Sequence, residues 1–283
     1  MTDLALILVL IAALLHASWN AMVKAAGDRA LVLACIAAAN TVAGASLIAL
    51  FGVPALESWA FVAASALLHY VYYWFLFQAY RFGDLSQVYP IARGSAPLLV
   101  ALGAQLFAGE VLPWLAWAGI WTVSAGIGLL SLSSRASRTA DPRAVLAAFA
   151  TGFLIACYSV VDGMGVRLSG NPFAYIGWLF ATEAAVVAVI AYRRRGQWRH
   201  LALPAVRYMV LGASAVVAYA LAIYANLLAA MGTVSAVREV SVVIAALIGV
   251  IVFRERPWRV RLIAAAIVAA GVVILALSGA QRA

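Results

Sequence analysis

Tyr89-Pro90-Ile91-Ala92-Arg93-Gly94-Ser95-Ala96-Pro97 runs on through apolar residues to Gly109-Glu110. It sets a permanent positive charge and two prolines inside a segment long enough to cross a bilayer. Ser235-Ala236-Val237-Arg238-Glu239-Val240-Ser241, running on apolar to Arg254-Glu255, echoes it. The spacing from arginine to terminal glutamate is the same in both, Arg93 to Glu110 and Arg238 to Glu255. The chain around these stretches reads as two copies of one unit.

Composition sets the solvent. The 283 residues are 67% hydrophobic, against roughly 45–50% apolar in globular chains. A water-soluble domain could not hide that much apolar surface, so the surroundings are lipid. In lipid every backbone N–H and C=O must be paired internally, which leaves helices or a closed barrel. The apolar runs are about 20 residues long and do not alternate, which selects helices. About ten such runs occur, near 4–23, 31–53, 59–80, 85–108, 112–132, 144–166, 172–192, 208–230, 234–253 and 260–277. The longest polar connections are 133–143 and 193–207. The first divides the chain into a unit at 1–133, a cytoplasmic linker at 134–143 and a second unit at 144–283. Five spans per unit invert the second copy in the membrane, and inverted repeats with a site at their interface mark transporters. The fold expected is an all-α membrane protein of ten transmembrane helices in two inverted five-helix repeats around a central cavity. The repeat is uneven: Pro90 and Pro97 have no counterparts in the second copy, so the first copy is expected to be the more distorted.

Charge follows topology. The net charge of +9 sits in short loops, so it implies no nucleic-acid partner. With Arg93 and Arg238 set aside as intramembrane, one set of loops holds Lys24, Arg29, Arg81 and the remaining arginines, and the other holds only Arg167 and Arg282. The basic side faces the cytoplasm, which puts a multi-pass protein in the inner membrane with both termini outward. Cys35 and Cys157 each sit in an apolar run and read as small buried hydrophobes. There is no metal-type spacing, no cofactor motif and no phosphate-binding loop. Scattered histidines and the lack of a nucleophile–base pair exclude a legible intramembrane enzyme.

The polar residues at depth carry the functional reading, because a charge at the bilayer centre costs at least ~2.5–3.5 kcal/mol. Arg93 and Arg238 either clamp an anionic solute group or pair with a buried acid such as Glu183 or Glu239. Glu183 and Glu239 are the proton-coupling candidates, with a permanent salt bridge as the competing role. His16, Asn20 and Lys24 recur on one face of the first helix. His69, Tyr73 and Tyr80 share a face of the third, His69 and Tyr73 toward a cavity and Tyr80 toward an interfacial belt. Tyr219, Ala222 and Asn226 form a polar stripe on the eighth. Tyr89 belongs to the arginine segment. The substrate-contact set is therefore Arg93, Arg238, Tyr89, Tyr73, His69, His16, Asn20, Tyr219 and Asn226. Asp162 lies nearer a helix end and reads as a solvated or capping carboxylate.

Three stretches carry a family resemblance: Leu15-His16-Ala17-Ser18-Trp19-Asn20-Ala21-Met22-Val23-Lys24; Gly83-Asp84 through Arg93-Gly94 with Pro97 and Gly109-Glu110; and Ser235-Ala236-Val237-Arg238-Glu239 with Arg254-Glu255-Arg256. Their order and repetition resemble a ten-helix member of the drug/metabolite transporter superfamily, of the EamA-like type. The resemblance implies two inverted repeats around a central cavity and transport, often efflux, of small polar or amphipathic solutes. The function expected is secondary active transport, as an exporter of a small organic metabolite, by alternating access with a proton as coupling ion. An uncoupled facilitator and a receptor or structural membrane protein are the alternatives. The partners expected are a small-molecule substrate and membrane lipid, with the protein a monomer or homodimer and no cofactor.

Overall fold

A computed structural model describes residues 1–25, 29–82, 85–132, 141–193, 198–251 and 258–280. Most of the linker expected at 134–143 lies outside the described residues, as do the side chains of Lys24, Tyr80 and Tyr89. The first half comprises α1 (Asp3–Ala25), α2 (Arg29–Phe51), α3 (Trp59–Phe82), α4 (Leu85–Ala108) and α5 (Trp114–Leu132). The second comprises α6 (Pro142–Leu168), α7 (Pro172–Ala181), α8 (Ala184–Arg193), α9 (Trp198–Ala225), α10 (Met231–Arg238), α11 (Val240–Ile251) and α12 (Trp258–Ala280). Among the described residues, eight spans are long and apolar enough to cross a membrane, and two shorter apolar helices lie within α5 and α9. Together they make ten passes, with α7–α8 and α10–α11 each forming one broken pass.

The packing repeats under exchange of the halves. α3 lies on α6 as α9 lies on α1, and α4 lies on α6 as α10 and α11 lie on α1. α2 meets its counterpart α7–α8, and α5 meets its counterpart α12. Glycines set the closeness of these last two seams. A Cβ on Gly44 would come within 2.7 Å of the Gly177 carbonyl, and one on Gly271 within 2.9 Å of the Gly119 carbonyl. In lipid, where apolar side chains gain little by leaving their surroundings, such close backbone contact is a main source of helix association.

Local chemistry starts α6 and α7 alike. Asp141 and Asn171 each accept from backbone N–H groups of the first turn, and each is followed by proline at the first helical position. The polar connection expected at 193–207 is shorter than its composition suggests, since α9 begins at Trp198.

The distortion falls in the opposite copy from the one expected. α4 runs unbroken through Pro90 and Pro97. Its second-half counterpart is the pass that breaks, at Glu239, where the Glu239 N–H reaches back only three residues to Ala236 O, as does that of Val242 to Glu239 O. The other break, at Thr182-Glu183, has an identifiable cause. The Thr182 hydroxyl donates to Leu179 O at 2.6 Å, and the Thr182 carbonyl accepts the Tyr70 hydroxyl from α3 at 2.6 Å. Both acidic residues at these breaks are buried.

Candidate functional site

Among the described residues, three polar clusters lie in the interior and a fourth at one end of the bundle, and each joins the two halves. In the first, Arg93 of α4 holds Glu239 at the α10–α11 break by two prongs. Arg93 Nε donates to Glu239 Oε2 at 3.0 Å, and Nη2 lies 2.7 Å from Oε1. Both side chains are almost fully buried, 6% and 1% exposed. The Nε contact is a charge-assisted hydrogen bond, and the Nη2 contact adds a close ion pair.

The second cluster centres on Asp162. It is 1% exposed, more than a turn inside α6, and accepts Tyr175 OH at Oδ1 (3.2 Å) and Tyr219 OH at Oδ2 (2.5 Å). The capping role expected from its position is therefore wrong: α6 continues to Leu168, and Asp162 points into the protein. Tyr219 OH also lies 3.1 Å from His69 Nε2, while His69 Nδ1 lies 2.8 Å from the Ser65 carbonyl. His69 stacks on Tyr158 at 4.2 Å.

Two small cavities flank Tyr219. The larger, about 20 Å³, is lined by Ser159, Asp162, Tyr219, Asn226, Ser235 and Arg238 among others. That is room for little more than one water molecule. Here Arg238 Nε and Ser159 Oγ are buried and find no hydrogen-bond partner among the described residues. The smaller, about 10 Å³, is lined by Asn40, His69, Thr182, Glu183 and Tyr219 with Leu179 and Phe180. Glu183 is the third cluster: it accepts the Tyr73 hydroxyl, 3.2 Å from Oε1 and 3.4 Å from Oε2.

The fourth cluster lies at the end of the bundle where α1 begins and α4, α6 and α9 finish. Glu110 Oε1 accepts Arg167 Nη2 at 2.6 Å, and both Glu110 oxygens accept the Met231 N–H that opens α10. Arg167 also donates from Nε to Asn226 O and from Nη2 to Ala229 O. A carboxylate at the start of α10 complements that helix's dipole, and the guanidinium ties down the turn that links α9 to α10. This closes the bundle above Asn226 and Met231, which line the larger cavity.

The structure thus brings Arg238, Tyr219 and Asn226 together at one cavity and His69, Glu183 and Tyr219 at the other. Arg93 and Glu239 meet each other. Tyr73 reaches Glu183. His16 faces the two arginines but packs edge-on against Trp19 at 5.0 Å, and the Asn20 amide is bonded back to His16 O at 2.7 Å. The Tyr89 side chain lies outside the described ones. Sequence reasoning gave Asp162 a solvated or capping role and passed over Ser159, Tyr158, Tyr175 and the Glu110–Arg167 pair. Tyr158 and Ser159 lie four and three residues before Asp162 in a largely apolar helix, a readable sign that each shares a face with it.

Paired intramembrane charges, a cavity between inverted halves and helices broken at acidic residues define a helical membrane transporter. The sequence profile of the EamA-like transporter family matches residues 3–132 and 142–277, so the chain belongs to that family. A solved structure titled "Crystal structure of protein" superposes with a TM-score of 0.71 over 98% of each chain at 19% identity, a likeness of fold. No curated protein sequence matches.

Proposed function

We propose that this EamA-family transporter is a proton-coupled exporter of a small polar organic solute bearing an anionic group, resident in the inner membrane with both termini outward. One observation carries the reading: Arg238 Nε and Ser159 Oγ are buried without a hydrogen-bond partner among the described residues, and both residues line, with Asp162, a cavity within the second half that Val100 of the first half borders. Leaving a buried donor unmet costs about 1–3 kcal/mol, more for a charged group. A carboxylate or phosphonate entering this cavity meets that need, while Asp162 and Asn226 suit the donor end of the same solute. Arg93 is already committed to Glu239, so Arg238 is the substrate arginine and Arg93 the scaffold.

The cavity volume supports alternating access. About 20 Å³ admits no organic molecule, so loading requires an opening movement, and the Glu110–Arg167 contact is the closure at the end assigned to the outside. The scarcity of basic residues at that end supports the orientation. Transport in proteoliposomes tests the proposal, with a panel of amino acids, sugars and phosphonates and with or without a pH gradient. A transported solute carrying a carboxylate or phosphonate, driven by the gradient, is the expected result. Transport indifferent to the gradient would make the protein a facilitator, and a reporter fused at Ala283 that reads as cytoplasmic would reverse the orientation.

A further inference from the structure

Tyr219 is the one side chain named so far that borders both cavities, with His69 on one side and Asp162 on the other. Proton bookkeeping at these three groups is constrained. The Ser65 carbonyl, which can only accept, lies 2.8 Å from His69 Nδ1, and Ser65 Oγ, 3.2 Å from the same nitrogen, directs its own hydrogen to Asp162, so Nδ1 carries a hydrogen. Nε2 then faces the Tyr219 oxygen at 3.1 Å, and that oxygen faces Asp162 Oδ2 at 2.5 Å. Tyr219 has one hydroxyl proton for two neighbours. With His69 neutral and Asp162 ionised, both neighbours present lone pairs and one contact has no hydrogen. With one added proton, both contacts are hydrogen bonds.

We infer that His69, Tyr219 and Asp162 form a proton relay holding one shared proton, which passes between the two cavities through the Tyr219 hydroxyl. In one form imidazolium Nε2–H donates to the Tyr219 oxygen, and Tyr219 O–H donates to the Asp162 carboxylate. In the other, Asp162 Oδ2–H donates to the Tyr219 oxygen, and Tyr219 O–H donates to neutral Nε2. Interconversion breaks the Nε2–H bond and the original Tyr219 O–H bond, and forms a new Tyr219 O–H bond and an Asp162 O–H bond. No proton enters or leaves. One positive charge disappears from the Glu183 side and one negative charge from the Arg238 side.

The neighbours favour such a chain. Tyr158 of α6 stacks on His69, Tyr175 of α7 holds the other Asp162 oxygen, and Glu183 and Arg238 face the two ends from the breaks of the second half. Moving the proton to Asp162 leaves the larger cavity more positive, which favours an anionic solute there. The inference deepens the proton-coupled reading and rests on it for its role in transport, though the relay itself is tested without substrate.

The test is time-resolved infrared spectroscopy on the full chain in lipid vesicles after photorelease of protons. The Asp162 carboxyl band is assigned by its loss in Asp162→Asn, and imidazole bands by ring-labelled histidine and their loss in His69→Gln. In the unaltered protein the Asp162 acid band and the loss of imidazolium should share one time course. Tyr219→Phe keeps both ends but removes the carrier, and should slow the Asp162 band by about tenfold or more, the scale set by a lost proton-transfer group. His69→Gln should slow it from the other end, so a misfolded Tyr219→Phe protein leaves the test standing. An Asp162 band that forms at an unchanged rate in both variants, or that forms without any imidazole change, overturns the relay. Transport without gradient dependence would remove the coupling reading and leave these kinetics as they are.

Discussion

Arg93 and Glu239, 146 residues apart in the sequence, close a buried ion pair between α4 of the first half and the break in the matching pass of the second. Nearly complete burial makes each partner dependent on the other. Removing one charge from a buried pair costs about 3–5 kcal/mol, whereas replacing both by apolar residues of similar size is often close to neutral. Arg93→Met and Glu239→Met should each lower thermal stability in detergent far more than the double variant does. Equal losses in single and double variants would show that the pair contributes little.

Arg238 is expected to respond differently. Its Nε has no hydrogen-bond partner among the described residues, while the side chain also meets Tyr158, so a substitution that keeps the charge should cost the solute more than the fold. Arg238→Lys keeps the charge and loses the planar fork. Its effect should be a rise of about tenfold in the KM of an anionic substrate, about 1.4 kcal/mol, with a melting temperature near that of the parent. A large fall in stability would place Arg238 with the scaffold instead.

Gly119 and Gly128 make an internal control within α5. A Cβ at Gly119 would stand 2.7 Å from the Leu275 side chain and 3.0 Å from the Gly271 carbonyl, while one at Gly128 would meet nothing within 4 Å. Gly119→Ala should destabilise by about 1–3 kcal/mol through overpacking. Gly128→Ala should be neutral or stabilise by up to about 1 kcal/mol through helix propensity. Thermal unfolding of the two variants side by side decides it.

The Glu110–Arg167 contact predicts a change in access. With Cys35 and Cys157 replaced by alanine, a cysteine introduced by Ser235→Cys faces the larger cavity. Glu110→Gln should raise its rate of modification by a membrane-impermeant thiol reagent by about tenfold, corresponding to about 1.4 kcal/mol of lost closure. An unchanged rate would show that the end is sealed by something else.

The bilayer made the fold legible: with water absent, apolar runs of spanning length have few structures open to them. The intramembrane arginines and glutamates were legible for the same reason, since their depth is costly. Their partners were not. The Glu183 break depends on a Thr182 carbonyl claimed by Tyr70 from another helix, and no local pattern announces that. The prolines of α4 misled because proline distorts a helix only where the packing lets it, and here α4 continues through both. Asp162 was misread for want of two residues of helix, since its distance from the helix end set the expectation.

Glu110 has only two oxygens, and they serve a helix terminus and a guanidinium together. Were Arg167 to withdraw alone, the Glu110 carboxyl, 10% exposed, would be left beside Met231 without that partner. Were α10 to withdraw alone, its first N–H would lose its acceptor. Each contact therefore supports the other, and the two should release together. A carrier that lets go in one step at this end passes its cargo without offering a continuous leak to ions, so the sharing of one carboxylate bears on tightness as much as on stability.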